Sequence, residues 1–285
     1  MPRDLDDVLH YFLPVPERTD SPSQEPALRS ASPRCASADS VGLLAPVRAR
    51  ESGQSQVALP ILTVPVASRD VVRAAFAWNL TVELARLGAR AILVAARDPA
   101  AAALWPEPGR GPVGAQAVYP DARDLIGLGH AALDAAIAGA ADATEGGVVV
   151  VCVPPEWLVR GTAVRPLLRW LLLFGTPETA DLREAYALAK LAYRRGSDPL
   201  VGLVIHGVHR MREAELAYGH VARVAARHLG RAPQSYGLLA DDLHVYRAIA
   251  AQRPIGLEHP QSRAARALGD VARMLWSDAQ KLALG

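Results

Sequence analysis

Lysine is nearly missing from this chain of 285 residues: Lys190 and Lys281 are the only two, and the rest of the 31 basic side chains are arginine. With a formal charge of +2 and no lysine blocks, the composition supplies neither a nucleic-acid footprint nor a funnel for acidic substrates. Cysteine is equally scarce. Cys35 falls in a polar stretch and Cys152 in an apolar one, so the pair makes neither a disulfide framework nor a metal site. The eight histidines lack the spacing of a metal-binding helix, and no metal is expected. No apolar run reaches the roughly 18–20 residues that span a membrane, and the start Met1-Pro2-Arg3-Asp4 lacks a secretory profile. A cytoplasmic location is expected, with recruitment to the inner membrane or a cell pole left open. Aromatics are only 5% of a chain that is 51% hydrophobic, and the abundant alanine suits helices packed on a sheet.

Three segments divide the chain. In residues 1–16, Leu5, Val8, Leu9, Phe12 and Leu13 repeat with the spacing of one helical face. Asp4, Asp6 and Asp7 load the first turn with charge that suits a helix N-terminus, and Pro14 and Pro16 end the pattern. So short a helix is marginal alone, so its stripe either packs on its own domain or docks in a partner's groove. Residues 17–56 are rich in Ser, Pro, Arg, Glu and Gln without periodicity, the composition of a tether. From residue 57 to 285, strand and helix patterns alternate: strands near 59–66, 91–95, 148–153, 170–174, 200–206 and 235–239, with helices near 71–87, 121–126, 131–143, 157–168, 179–195, 212–229, 246–252 and 262–282. That alternation predicts an α/β domain, a mostly parallel sheet with helices on both faces. In such sheets ligands bind at the carboxyl ends of the strands.

The first such end is unusual. The loop Ala67-Ser68-Arg69-Asp70-Val71-Val72-Arg73-Ala74-Ala75 stands where a phosphate-binding loop would, yet it holds no glycine, no lysine and no metal-binding hydroxyl after the basic residue. The stretch Gly109–Gly114 has the glycines but neither Lys nor Ser/Thr, and is read as a surface loop.

The later segments carry a resemblance. Phe174-Gly175-Thr176-Pro177-Glu178, followed by the Ala185-Tyr186 helix, resembles the strand, Thr-Pro-Glu turn and helix of the MinD/ParA family of deviant-Walker P-loop ATPases. Gly237-Leu238-Leu239-Ala240-Asp241-Asp242 and the segments around Pro254 and Pro260 are similar to that family's C-terminal pattern. Within the family, the FlhG-like branch that positions flagella is the most similar, and the likeness spans about residues 59–275. Aligned on Asn79-Leu80, it places Arg73 at the Walker lysine, Ala74 at the magnesium-binding hydroxyl and Ser68 at the signature lysine. It places Asp98 at the second acid after the second strand, Cys152 at the Walker B acid and His206 at the base-side Asn. Each lost charge-assisted phosphate contact costs roughly 1.5–3 kcal/mol. Together with the missing cradle, such losses remove the ~8 kcal/mol of a micromolar site.

The resemblance therefore implies a pseudo-ATPase with no cofactor: a spatial regulator that binds protein partners of a cell-envelope or polar machine such as a flagellum, secretion or chemosensory system. Residues Leu5, Val8, Leu9, Phe12 and Leu13 would carry the partner contact, with a homodimer, or a heterodimer with an active paralogue, as possible assemblies. Two alternatives stand beside it: an ATPase with an unusual site built on Arg73 and Asp98, and a ParA-like DNA-binding partitioning protein using Arg223, Arg227 and Arg231. The last helix places Leu268, Val271, Ala272, Leu275, Trp276, Ala279 and Leu282 on one face; docking on the sheet is expected ahead of membrane contact. Asp241-Asp242 reads as a turn or helix cap.

Overall fold

The computed structural model describes residues 58–98, 105–161 and 164–284. The predicted docking helix 1–16 and tether 17–56 lie outside the described residues. In chain order the elements are β1 (Ile61–Pro65), α1 (Val71–Arg86), β2 (Arg90–Ala95), β3 (Gly109–Arg110), a 3₁₀ turn (Pro112–Gly114), β4 (Gln116–Val118), α2 (Leu125–Asp142) and β5 (Gly147–Val153). Then follow α3 (Pro155–Arg160), α4 (Arg165–Arg169), β6 (Trp170–Gly175), α5 (Thr179–Arg195), β7 (Leu200–Val208), α6 (Met211–Leu229), β8 (Gln234–Ala240), α7 (Leu243–Ala250), α8 (Ile255–Glu258) and α9 (Arg263–Leu284).

Eight strands form one sheet in the order β3-β4-β2-β5-β1-β6-β7-β8, and every pairing except β3 with β4 is parallel. Because both faces are covered, the central strands are continuous apolar runs whose side chains alternate between two cores. In β5, Val148, Val150 and Cys152 join the core under α1 and α9, while Val149, Val151 and Val153 join the core under α2, α5 and α6. Proline disfavours central strands, yet β1 is central. Pro60 lies just before it and Pro65 closes it, so the missing N–H groups fall at its ends.

The expected alternation is present; the short elements β4 and α8 add to it, and three segments differ from expectation. The two helices expected at 121–126 and 131–143 are one helix, α2, capped by Asp124, whose side chain accepts a hydrogen bond from Gly127 N at 2.8 Å. Gly129 inside it is a contact rather than a break, for a Cβ there would lie 2.7 Å from Val164 Cγ1. The helix expected at 157–168 is two short helices, α3 and α4. Finally, the glycine stretch 109–114 is not an open loop but the β3 edge strand and a turn, with Gly111 against the Trp78 indole; a Cβ at Gly111 would sit 2.8 Å from the ring.

The predicted apolar face of α9 is used inside the molecule. Leu268, Val271, Ala272, Leu275 and Ala279 are buried, and Trp276 and Leu282 pack at the margin of the same core. Among the described residues one helix, α2, is long and apolar enough to cross a membrane; its Leu125, Leu128, Ala132 and Ala136 are buried against the sheet.

Candidate functional site

At the carboxyl edge β1 turns into α1 through a connection of few residues. Asp70 N–H donates to Ala67 O at 2.9 Å, Val71 N–H to Arg69 O at 3.1 Å, and Val66 N–H to Val153 O at 2.9 Å. Asp70 then caps α1, accepting from Arg73 N–H at 2.9 Å. The N–H groups of Val66, Asp70, Val71 and Arg73 thus end on the chain's own oxygens, whereas a phosphate cradle presents such groups outward. None of the loop residues adopts a positive φ, so the turn needs no glycine and has none.

Arg73, on the first turn of α1, is the centre of the site. Its side chain is only 7% exposed and meets three carboxylates. Nε lies 3.1 Å from Asp70 Oδ2, Nη2 lies 3.2 Å from Asp181 Oδ2, and Nη1 donates to Glu184 Oε2 at 2.8 Å. The Nε contact is an ion pair without good hydrogen-bond alignment. Asp181 and Glu184 sit three apart on α5, so they share one helix face. Thr176 holds Asp181 in place, its Oγ1 donating to Asp181 Oδ2 at 2.8 Å. Burial works against the guanidinium's charge, but the hydrogen bond Arg73 donates to Glu184 and the fields of Asp70, Glu184 and Asp181 outweigh it and raise its pKa further.

Beside this knot lies His206, buried near the end of β7. Gly207 takes φ 69° at a register shift between His206 and Val208, the kind of bulge that re-aims a side chain. The imidazole stands edge-on to Phe76 at 5.4 Å and to Phe174 at 6.2 Å, and those two rings stack at 5.6 Å. Its Nε2 has no hydrogen-bond partner among the described residues. Burial, then repulsion from Arg73, lowers its pKa to about 4 despite Asp70 and Asp181, so the ring is neutral near pH 7.

The remaining predicted positions fall on the other side of β1. Ser68, Asp98 and Cys152 line a cavity of about 290 Å³ between the ends of β1, β2 and β5, with Trp105 and Trp157 among its walls. Cys152 is buried and burial pushes its thiol far above the usual range, which leaves it a poor nucleophile. Ala74 is fully buried. The predicted residues therefore divide into two groups, Arg73 with His206 and Ser68 with Asp98 and Cys152. Asp70, Asp181 and Glu184 were not foreseen as members; the readable signal was the i, i+3 pair of acids following the Thr-Pro-Glu turn. Asp242 caps α7 as expected, accepting from His244 N–H at 3.0 Å. His209 is exposed, 3.7 Å from Asp241. Among the described residues no cluster of three or more His, Cys, Asp or Glu is arranged to hold a metal ion.

The architecture is that of the MinD/ParA ATPases. The chain is similar to MinD cell division protein from Aquifex aeolicus at 13% identity and TM-score 0.51, covering 76% of this chain and 96% of that one. It is similar to a ParA family ATPase from Chlorobium tepidum TLS at 14% identity and TM-score 0.53, covering 76% and 98%. A MinC:MinD cell division protein complex from Aquifex aeolicus matches at 12% identity and TM-score 0.51, covering 76% and 95%. Identities this low establish the fold alone. No protein-family model matches the chain, and comparison with curated proteins finds no match.

A magnesium-bound nucleoside triphosphate, which that fold implies, is a poor fit to these residues. Three carboxylates around one guanidinium leave a local excess of negative charge, and like charges repel a triphosphate. Lys190, one of the two lysines, is buried on α5, and Lys281 is on α9 paired with Asp278.

Proposed function

We propose that this chain is a non-hydrolysing, FlhG-like relative of the MinD/ParA ATPases that serves as a spatial scaffold for a cell-envelope or polar machine. Its folded domain binds protein partners, and residues 4–13 act as a tethered docking motif. The observation that carries the reading is Arg73, held by Asp70, Asp181 and Glu184 at the position the resemblance gives to the phosphate-binding lysine. A guanidinium neutralised from within ties α1 to α5 and has no free fork to offer a phosphate. Scaffolding suits a fold in which the side chain at that position is engaged by the protein's own carboxylates. That a MinD protein assembles with MinC in one of the similar structures gives the reading a precedent for protein partners.

Titration with a fluorescent ATP analogue and Mg²⁺, read by anisotropy and by sizing for nucleotide-dependent dimers, tests the first half. No saturable binding below millimolar nucleotide is expected; micromolar binding or turnover would overturn it. Deleting residues 1–16 tests the second half. Capture of the partner from the native cell extract should be lost while the melting transition is unchanged, and undiminished capture would refute the docking role. A second reading is favoured by the cavity beside Ser68 and Asp98, which could hold a small ligand. Saturable nucleotide binding abolished by Asp98→Ala, but not by Arg73→Lys, would establish it instead.

A further inference from the structure

At the opposite, amino edge of the sheet lies a cleft of about 490 Å³. Leu59 and Ile61, on the approach to β1 and in it, line one part; Leu133 of α2 and Leu282 of α9 line others. Leu133 is 38% exposed there. Arg165 and Arg169, from α4, belong to the same lining, are exposed, and form no ion pair among the described residues. A cleft of mixed apolar and polar lining, edged by two cations that form no ion pair among the described residues, suits an occupant that is amphipathic and acidic.

We propose that the occupant is this chain's own residues 4–13, docked as a helix on the domain that carries them. Leu5, Val8, Leu9, Phe12 and Leu13 supply the apolar stripe, and Asp4, Asp6 and Asp7 supply charge opposite to that of Arg165 and Arg169. The connection has the right place and length. Ala58, where the described chain begins, itself lines the cleft, and a coil as long as residues 14–57 has a root-mean-square span of roughly 35 Å. The segment is therefore presented to the cleft at an effective concentration of about millimolar, so even weak intrinsic affinity fills the site. Burial of the stripe offsets the marginal stability of so short a helix. Apolar contact supplies the affinity, and the charges set orientation and salt dependence. The inference goes beyond the proposed function by giving the docking motif a resting place in cis; it rests on that function only for the corollary that a partner must displace the segment.

The test uses the full chain without any partner. Cys35→Ala removes one native thiol, Leu9→Cys supplies the first probe, and Leu133→Cys supplies the second within the cleft. A control chain carries the second probe at Leu243, exposed at the carboxyl edge. A flexible bismaleimide should join 9 to 133 within one chain at least tenfold faster than 9 to 243, at a rate independent of protein concentration. Adding Arg165→Glu and Arg169→Glu should erase the preference, and Asp4→Arg, Asp6→Arg and Asp7→Arg in that background should restore it. Phe12→Cys with Leu282→Cys repeats the measurement if the first pair disturbs folding, with melting curves as the check. Equal rates to both positions would overturn the proposal. Products joining two chains would overturn it in favour of a second copy's segment. Because no partner is present, failure here leaves the capture experiment above to be judged separately.

Discussion

Replacing Arg73 with methionine takes the guanidinium out from between Asp70, Asp181 and Glu184 while keeping most of the apolar stem. Removing one member of a fully buried ion pair costs ~3–5 kcal/mol, chiefly because the other is left uncompensated. The three carboxylates here are 26%, 29% and 38% exposed, so water screens part of that loss and about 2 kcal/mol is expected. In a domain of this size each kcal/mol moves the melting temperature by about 2–4 °C. The variant should therefore melt ~4–8 °C lower by circular dichroism, with a matching fall in the urea midpoint. The decisive comparison is a double-mutant cycle. Asp181→Asn alone should destabilise, because Arg73 and Thr176 both lose a charged acceptor. In the Arg73→Met background the same change removes a like charge and should be neutral or stabilising, a coupling of about 1–2 kcal/mol. Strictly additive costs would refute the idea that Arg73 exists to neutralise these acids.

Three other expectations follow from the same structure. His206 titrates at about 4 when folded and near 6.5 when unfolded, so the unfolded state binds more protons between those values; stability should be full above pH 6.5 and fall by roughly 3 kcal/mol as pH drops towards 4. His206→Phe should flatten that part of the profile, and identical profiles would contradict the assignment. Gly147→Ala should destabilise by about 3 kcal/mol or more in urea melts, because its Cβ would lie 2.2 Å from Arg90 O on the neighbouring strand and backbone cannot give way as a side chain can; a wild-type melt would show that β2 and β5 are not so close. The Cys152 thiol should resist maleimide labelling at pH 8 in the folded protein and label on unfolding, as located by peptide mass mapping; rapid native labelling would mean that the cavity beside it opens readily.

The layered fold was legible because it is written in local patterns. Strands buried on both faces, such as Val148–Val153, read as unbroken apolar runs, and α9 shows its buried stripe at helical spacing. Glycines were harder to read, because their role depends on what stands opposite. Gly129 lies in the gap between the helices expected at 121–126 and 131–143, yet it is a contact with Val164 inside a single helix; the 109–114 stretch was read as a surface loop, yet Gly111 meets Trp78. The short strand β4 has only three residues, too few for any periodicity. At the carboxyl edge, counting from Asn79-Leu80 drew attention to Arg73 and to a loop without glycine or lysine. The acids that neutralise it lay beyond such counting, since α5 reaches Arg73 only once β6 has paired beside β1. Likewise Asn79 reads as a family landmark, but its Oδ1 accepts from Ile255 N–H at 2.7 Å, a tertiary link that no local pattern announces.

Placing β1 in the middle of the sheet has a consequence for how the chain is made. Ile61 pairs with Val149 and Thr63 with Leu171, so the first of the described strands to leave the ribosome waits for β5 and β6, both synthesised much later, before either edge is covered. Contacts so distant along the chain slow closure, and a waiting apolar strand is open to wrong pairings. Nascent chains stalled before residue 147 should remain sensitive to protease at β1, and those stalled well past residue 175 should not.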